Sequence, residues 1–208
     1  MIERLQKHLL FIGVTALYVP GYMGVNWISS RRSDLHQMVL PFEREIPFIP
    51  EFIWAYLLIY VFVTLPYLLV DDLVFFRKVV KAFLICIVVH FAFFLIYPVE
   101  YVLRPAVDYE WGGIYKLITF YYWVDLPYNC FPSMHISNAF MVAYMLREYR
   151  PVLGKILFPG AVLVAISVVL VKQHYIADVV SGYVVGWGIY WLVFKAARFT
   201  NERGRLRS

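Results

Sequence analysis

The chain has 208 residues, 62% of them hydrophobic and only 16% charged, with a formal net charge of +5 and a mean hydropathy of +0.68. A soluble domain holds a nearly even share of apolar residues and about a quarter charged ones, so this composition excludes an ordinary soluble protein and indicates an integral membrane protein. The small positive excess calls for no nucleic acid partner, because basic residues beside membrane helices, and the basic tail RGRLRS, are expected next to anionic lipid.

A helix needs about 20 apolar residues to cross a hydrocarbon core of roughly 30 Å. Six runs qualify, at roughly 8–27, 51–70, 79–97, 133–149, 152–171 and 175–197, the fourth being the shortest. In lipid only helices or closed barrels satisfy their own backbone, and the alternation of a barrel strand is absent. The expected fold is therefore all-α, a six-helix integral membrane bundle formed by one domain over residues 1–208. The first run, HLLFIGVTALYVPGYMGVNW, is too long for the apolar core of a cleavable signal and lacks a small-x-small exit. It is expected to remain as a helix, bent near Pro20 and Gly21. Cys86 in the third run and Cys130 in a loop form no disulfide framework.

Basic residues set the expected orientation. One side of a six-span chain holds Arg4, Lys7, Arg77, Lys78, Lys81, Arg147, Arg150, Lys155, Lys195 and the C-terminal arginines. On the other side Arg31, Arg32, Arg44, Arg104, Lys116 and Lys172 are interleaved with acids. The positive-inside rule then places both termini in the cytoplasm, and the loops after the third and fifth spans face outward. The expected location is the bacterial inner membrane, with that face toward the periplasm or the exterior.

Three polar clusters meet on that face: YVLRPAVDYEWGG, NCFPSMHIS and VKQHYIADVVSGY. Asp178 follows His174 by four positions, so on a helix they share a face, and the carboxylate can fix the tautomer of the ring and raise its basicity. A histidine so held is suited to act as base or nucleophile, although a structural hydrogen bond would use the same spacing. Pro132 and Ser133 read as a helix start that puts His135 in the first turn, and the free N–H groups of a helix start are a ready phosphate site. Arg104 adds a guanidinium, the side chain best suited to bidentate phosphate binding. Together these make a phosphoryl-transfer set that requires no metal and no cofactor. His90, within the third run, is expected to be a packed histidine bonded to a neighbouring helix. Cys130 is expected to pack rather than react, and the glycines at 182 and 186 to let helices approach closely.

On these residues the chain resembles the type 2 phosphatidic acid phosphatase superfamily, whose three short motifs fall within residues 97–178. Arg104 and Pro105 match part of K-x6-RP; Pro132, Ser133 and His135 match PSGH; Ser167, His174 and Asp178 match SR-x5-H-x3-D. The resemblance implies His174 as a nucleophile forming a phosphohistidine, Asp178 as its orienter and His135 as general acid. It further implies Arg104 and Ser133 as phosphate ligands, and a lipid phosphate such as phosphatidate or a polyisoprenyl (di)phosphate as substrate. The chain departs from the pattern at Tyr97, Met134 and Val168, which stand where the motifs have lysine, glycine and arginine. Lys172 and Lys116 are the candidates to replace the two missing cations. PSMH is also similar to the PSLH of inositol phosphorylceramide synthases and their bacterial relatives. Four readings are therefore open: a lipid phosphate phosphatase, a headgroup phosphotransferase, a non-catalytic lipid-binding membrane protein, and a metal site of His135, His174 and Asp178.

Overall fold

A backbone kept from water must bond to itself, and in the computed structural model, which describes residues 2–196, the apolar runs do so as helices. No strand occurs among the described residues; isolated bridges join His36 to Val99 and Val99 to Asn129. The helices are α1 Ile2–Ser29, α2 Pro50–Leu69, α3 Leu73–Ile96, α4 Gly113–Val124, α5 Met134–Tyr149, α6 Pro151–Leu170 and α7 Ile176–Lys195. Five of them, α1, α2, α3, α6 and α7, are long and apolar enough to cross a membrane, as a multi-pass integral membrane protein requires. Helix α3 starts before its apolar run because the Asp72 carboxylate accepts the Phe75 N–H at 2.5 Å, an N-cap that satisfies one of the free donors.

The fourth expected span differs from the others. Helix α5 has only 16 residues, ten of them buried, and it packs against α2, α3, α6 and α7. Its Ser137 and Asn138 therefore face other helices and not lipid, which accounts for the weak hydropathy of the run. Ser137 Oγ donates to Gly182 O at 2.7 Å and pairs with His90 Nε2 of α3 at 2.9 Å. Helix α4 lies outside the six expected runs. At about 1.5 Å per residue its 12 residues cover about 18 Å, too little to cross the membrane.

Helices α5 and α7 approach each other closely. A Cβ on Gly182 would stand 2.5 Å from Ser133 O, and one on Gly186 would stand 2.4 Å from Ser137 O. Neither carbonyl can retreat without moving the helix that carries His135. Gly186→Ala is thus expected to cost at least the roughly 1–3 kcal/mol of an overpacked core, read as a lower melting temperature in detergent together with lost activity. An unchanged melting temperature would show that the helices are not locked at this point.

The loops after α1, α3 and α6 gather at one end of the bundle. His36 N donates to Pro98 O at 2.9 Å, Glu100 N to His36 O at 2.9 Å and Ile49 N to Leu170 O at 3.0 Å. Basic residues mark the opposite end. Arg77 there donates to Gln6 Oε1 at 3.1 Å, and the Lys7 ammonium stands 5.3 Å from the Tyr67 ring centre. The RGRLRS tail, and the last residue of the sixth expected span, lie outside the described residues.

Candidate active site

After α6 the chain turns sharply. Val168 O accepts both Gln173 N at 2.8 Å and His174 N at 3.2 Å, and Lys172 takes the left-handed conformation, φ 56°. His174 is then delivered against the first turn of α7. Asp178 Oδ2 accepts from Tyr175 N at 2.9 Å and pairs with His174 Nδ1 at 3.2 Å, so one carboxylate both caps the helix and orients the ring. Burial holds the His174 imidazole down at about pKa 4. The ring is therefore neutral at physiological pH.

His135 enters from α5. Ser133 is the N-cap of that helix, its Oγ accepting Ile136 N at 3.4 Å, and Ser133 N donates to Asp178 O at 3.0 Å. The two helix starts are thereby tied together, and His135 Nδ1 faces His174 Nε2 at 3.1 Å. The tautomers follow from this network. With His174 Nδ1–H donating to Asp178 Oδ2, His174 Nε2 carries a lone pair and must accept from His135 Nδ1–H. His135 Nε2 then accepts from the Tyr56 hydroxyl at 2.9 Å.

Beyond Tyr56 lies Asp125, the residue that ends α4. Its Oδ2 is 3.4 Å from the Tyr56 hydroxyl and 3.8 Å from His135 Nε2, and its Oδ1 accepts from the Tyr22 hydroxyl at 2.6 Å. Arg104 supports the same corner: it donates to Asp125 O at 2.8 Å, to Tyr122 O at 3.3 Å and to Gln173 Oε1, with its guanidinium 4.5 Å from the Tyr122 ring centre. Arg104 Nε and Gln173 Nε2 are buried and have no partner among the described residues.

Five of the six expected site residues, Arg104, Ser133, His135, His174 and Asp178, are thus joined through one network. Lys172 is turned elsewhere: its ammonium donates to Ile46 O at 2.6 Å and to Glu43 O at 3.4 Å, bracing the loop before α2. Lys116 stands 4.8 Å from the Tyr109 ring centre, and Tyr97 stacks on His36 with ring centres 4.0 Å apart. Cys130, His174 and Asp178 offer atoms within 4.8 Å of one another. Burial pushes the Cys130 thiol well above its ordinary value, and it donates to Pro127 O at 3.3 Å, as a packed, protonated cysteine does.

The sequence reading missed Tyr22, Tyr56, Asp125 and Gln173. Asp125 had a signal: an acid at the C-terminal end of an aromatic helix sits against the helix dipole and must be held there by other groups. Two neighbouring cavities, of about 140 Å³ and about 200 Å³, lie between α1 and α2 and share Tyr18, Val19, Tyr60 and Val63 as lining. The first reaches Asp125 and His135, and the second is walled mostly by apolar side chains such as Phe11 and Val14.

The molecule is accordingly an all-helical, multi-pass membrane protein with a buried histidine–carboxylate network at one end of its bundle. Residues 101–202 match the family model described as the PAP2 superfamily, and by this region the chain belongs to that superfamily. The matched region includes all six expected site residues and leaves out Tyr97. The chain is also similar to the uncharacterized protein MJ0662 of Methanocaldococcus jannaschii, 34% identical over 71 residues, which are 34% of this chain and 29% of that protein. The match thus spans less than a third of that relative's own length. No solved structure matches the chain.

Proposed function

We propose that the protein is a metal-independent lipid phosphate phosphatase acting through a phosphohistidine. The observation that carries the reading is the facing pair His135 Nδ1 and His174 Nε2 at 3.1 Å, with His174 backed by Asp178 at 3.2 Å. In this mechanism the His174 Nε2 lone pair attacks phosphorus as the bond to the ester oxygen breaks, and His135, protonated on both nitrogens when substrate is bound, gives that oxygen the proton of its Nδ1 and is left a neutral ring. Water then attacks the phosphohistidine, His135 taking back a proton. Substrate entry must part the two rings, because a phosphoryl group does not fit between nitrogens in hydrogen-bond contact. Arg104 and the N–H groups at the start of α5, with Ser133, hold the phosphate oxygens. The unpartnered Arg104 Nε and Gln173 Nε2 suit that task.

The loop end of the bundle faces outward in this reading, with both termini cytoplasmic, since basic residues crowd the other end. Bundle positions for six membrane segments follow if α5 is counted as the sixth, sheltered by its neighbours. The substrate is phosphatidate or a polyisoprenyl (di)phosphate entering sideways from the outer leaflet, its tail lying in the cavities between α1 and α2. A second reading, transfer of the phosphoryl or phospho-headgroup to an alcohol, is favoured by Met134 in place of the motif glycine and by Tyr97 and Val168 in place of its cations. Lys172, held by loop carbonyls, takes no direct part in either.

The test is phosphate release by the detergent-purified protein from phosphatidate, a polyisoprenyl diphosphate and a phosphoinositide, with EDTA present. Release that persists in EDTA supports the hydrolase; release only when an alcohol acceptor is supplied supports the transferase. The pH profile gives an independent check. Attack needs a neutral His174, and burial sets its pKa at about 4, so nucleophilic competence is kept as pH falls and is lost only near that value. Once substrate ionisation is corrected for, the acid limb of kcat/KM is expected well below the ordinary histidine value of about 6.5. A limb at 6.5 would contradict a buried nucleophile.

A further inference from the structure

We propose that Asp125 is the positioning carboxylate of His135: with the Tyr56 hydroxyl it holds the second imidazole and stabilises its protonated form, so that each histidine of the site has a carboxylate of its own. The inference rests on the proton-donor role given to His135 above, and it adds a residue that lies outside the three motifs.

The position of Asp125 is unfavourable in every respect but one. The residue is 8% exposed, it ends helix α4 where the dipole disfavours an anion, and taking a carboxylate out of water is costly unless it is paired. No lysine or arginine pairs with its carboxylate among the described residues; Arg104 reaches its backbone oxygen instead. What meets the carboxylate is Tyr22 of α1 at 2.6 Å, Tyr56 of α2 at 3.4 Å and His135 Nε2 of α5 at 3.8 Å. The other charged or titratable groups that act on the His135 ring among the described residues include His174, at its other nitrogen, Arg104 and His90. The carboxylate on its Nε2 side is therefore the group that compensates a positive ring.

The Tyr56 hydroxyl gives this arrangement two settings. With His135 neutral, the hydroxyl donates to Nε2. With His135 protonated, Nε2–H donates to the Tyr56 oxygen and the hydroxyl proton turns to Asp125 Oδ2. When His135 passes its Nδ1 proton to the leaving oxygen, it becomes a neutral ring that keeps the Nε2 proton, and no proton passes to Asp125. A buried carboxylate that orients an imidazole and stabilises its imidazolium has the same physical role in hydrolytic triads.

The test compares two leaving groups. An alkyl phosphate needs its leaving oxygen protonated, whereas p-nitrophenolate leaves unaided. Asp125→Asn is expected to slow alcohol release from phosphatidate by about 10²-fold, within the range of a lost general acid, mainly in kcat, while the first-turnover burst of nitrophenolate from p-nitrophenyl phosphate falls far less. Activity on the second substrate certifies that the variant is folded. If Asp125→Asn does not fold, Tyr56→Phe carries the test with the same selective loss expected. Equal loss on both substrates, or no loss on either, overturns the proposal. Wild-type protein that releases neither leaving group overturns the phosphatase reading itself and the inference with it, a result distinct from the first two.

Discussion

Replacing His174 with alanine is expected to lower turnover by about 10⁴-fold or more, the scale on which a covalent nucleophile is lost. At 1.36 kcal/mol per tenfold, this is a barrier increase of about 5 kcal/mol. Binding should survive, because Arg104 is braced by Tyr122, Asp125 and Gln173 and none of these contacts passes through the imidazole. The measurement is kcat and KM on the best substrate of the panel, with acid-labile phosphate on the protein assayed in parallel. Loss of turnover with loss of the labelled intermediate is the expected pair of results. Turnover that persists in His174→Ala would place the nucleophile elsewhere and remove the basis for the mechanism.

His135→Ala is expected to cost about 10²–10⁴ in turnover of an alkyl phosphate, the worth of general acid–base catalysis. The variant should also separate the two chemical steps. With p-nitrophenyl phosphate the first step needs no proton, while hydrolysis of the phosphohistidine still needs a base for water. A burst of about one nitrophenolate per protein, followed by a slow steady rate, is therefore expected from the mechanism. Rapid-quench or stopped-flow absorbance reads it directly. A linear trace at the slow rate would mean that His135 also limits the first step, in a role other than proton donor.

Much of this arrangement was legible in the sequence because its parts are local. The i, i+4 spacing of His174 and Asp178 fixes their shared face, and the Pro-Ser pair before His135 marks a helix start. Five apolar runs also appear as helices long enough to span. What escaped depends on packing between distant segments. Helix α5 owes its short length and polar residues to burial by four neighbours, which hydropathy reads only as weakness. Helix α4 opens on a pair of positive-φ glycines, with Gly112 as its N-cap and Gly113 as its first residue, a start marked by backbone conformation and not by hydropathy. Tyr22, Tyr56 and Asp125 lie in separate stretches and acquire meaning only when α1, α2 and α4 converge, so no window along the chain contains them. Lys172 is turned away from the histidine pair for a similar reason. Its neighbour in sequence is His174, but its hydrogen-bond partners are carbonyls 126 and 129 positions away.

Those long-range bonds also bear on biogenesis. The buried Glu43 side chain accepts Ile176 N at 2.5 Å and Leu40 N at 2.6 Å, so an early loop is closed by α7, which is made after all the other described helices. Until residues 172–176 arrive, Glu43 lacks both the amide of Ile176 and the ammonium that holds its carbonyl. Nascent chains halted before α7 would therefore leave Glu43 half-paired.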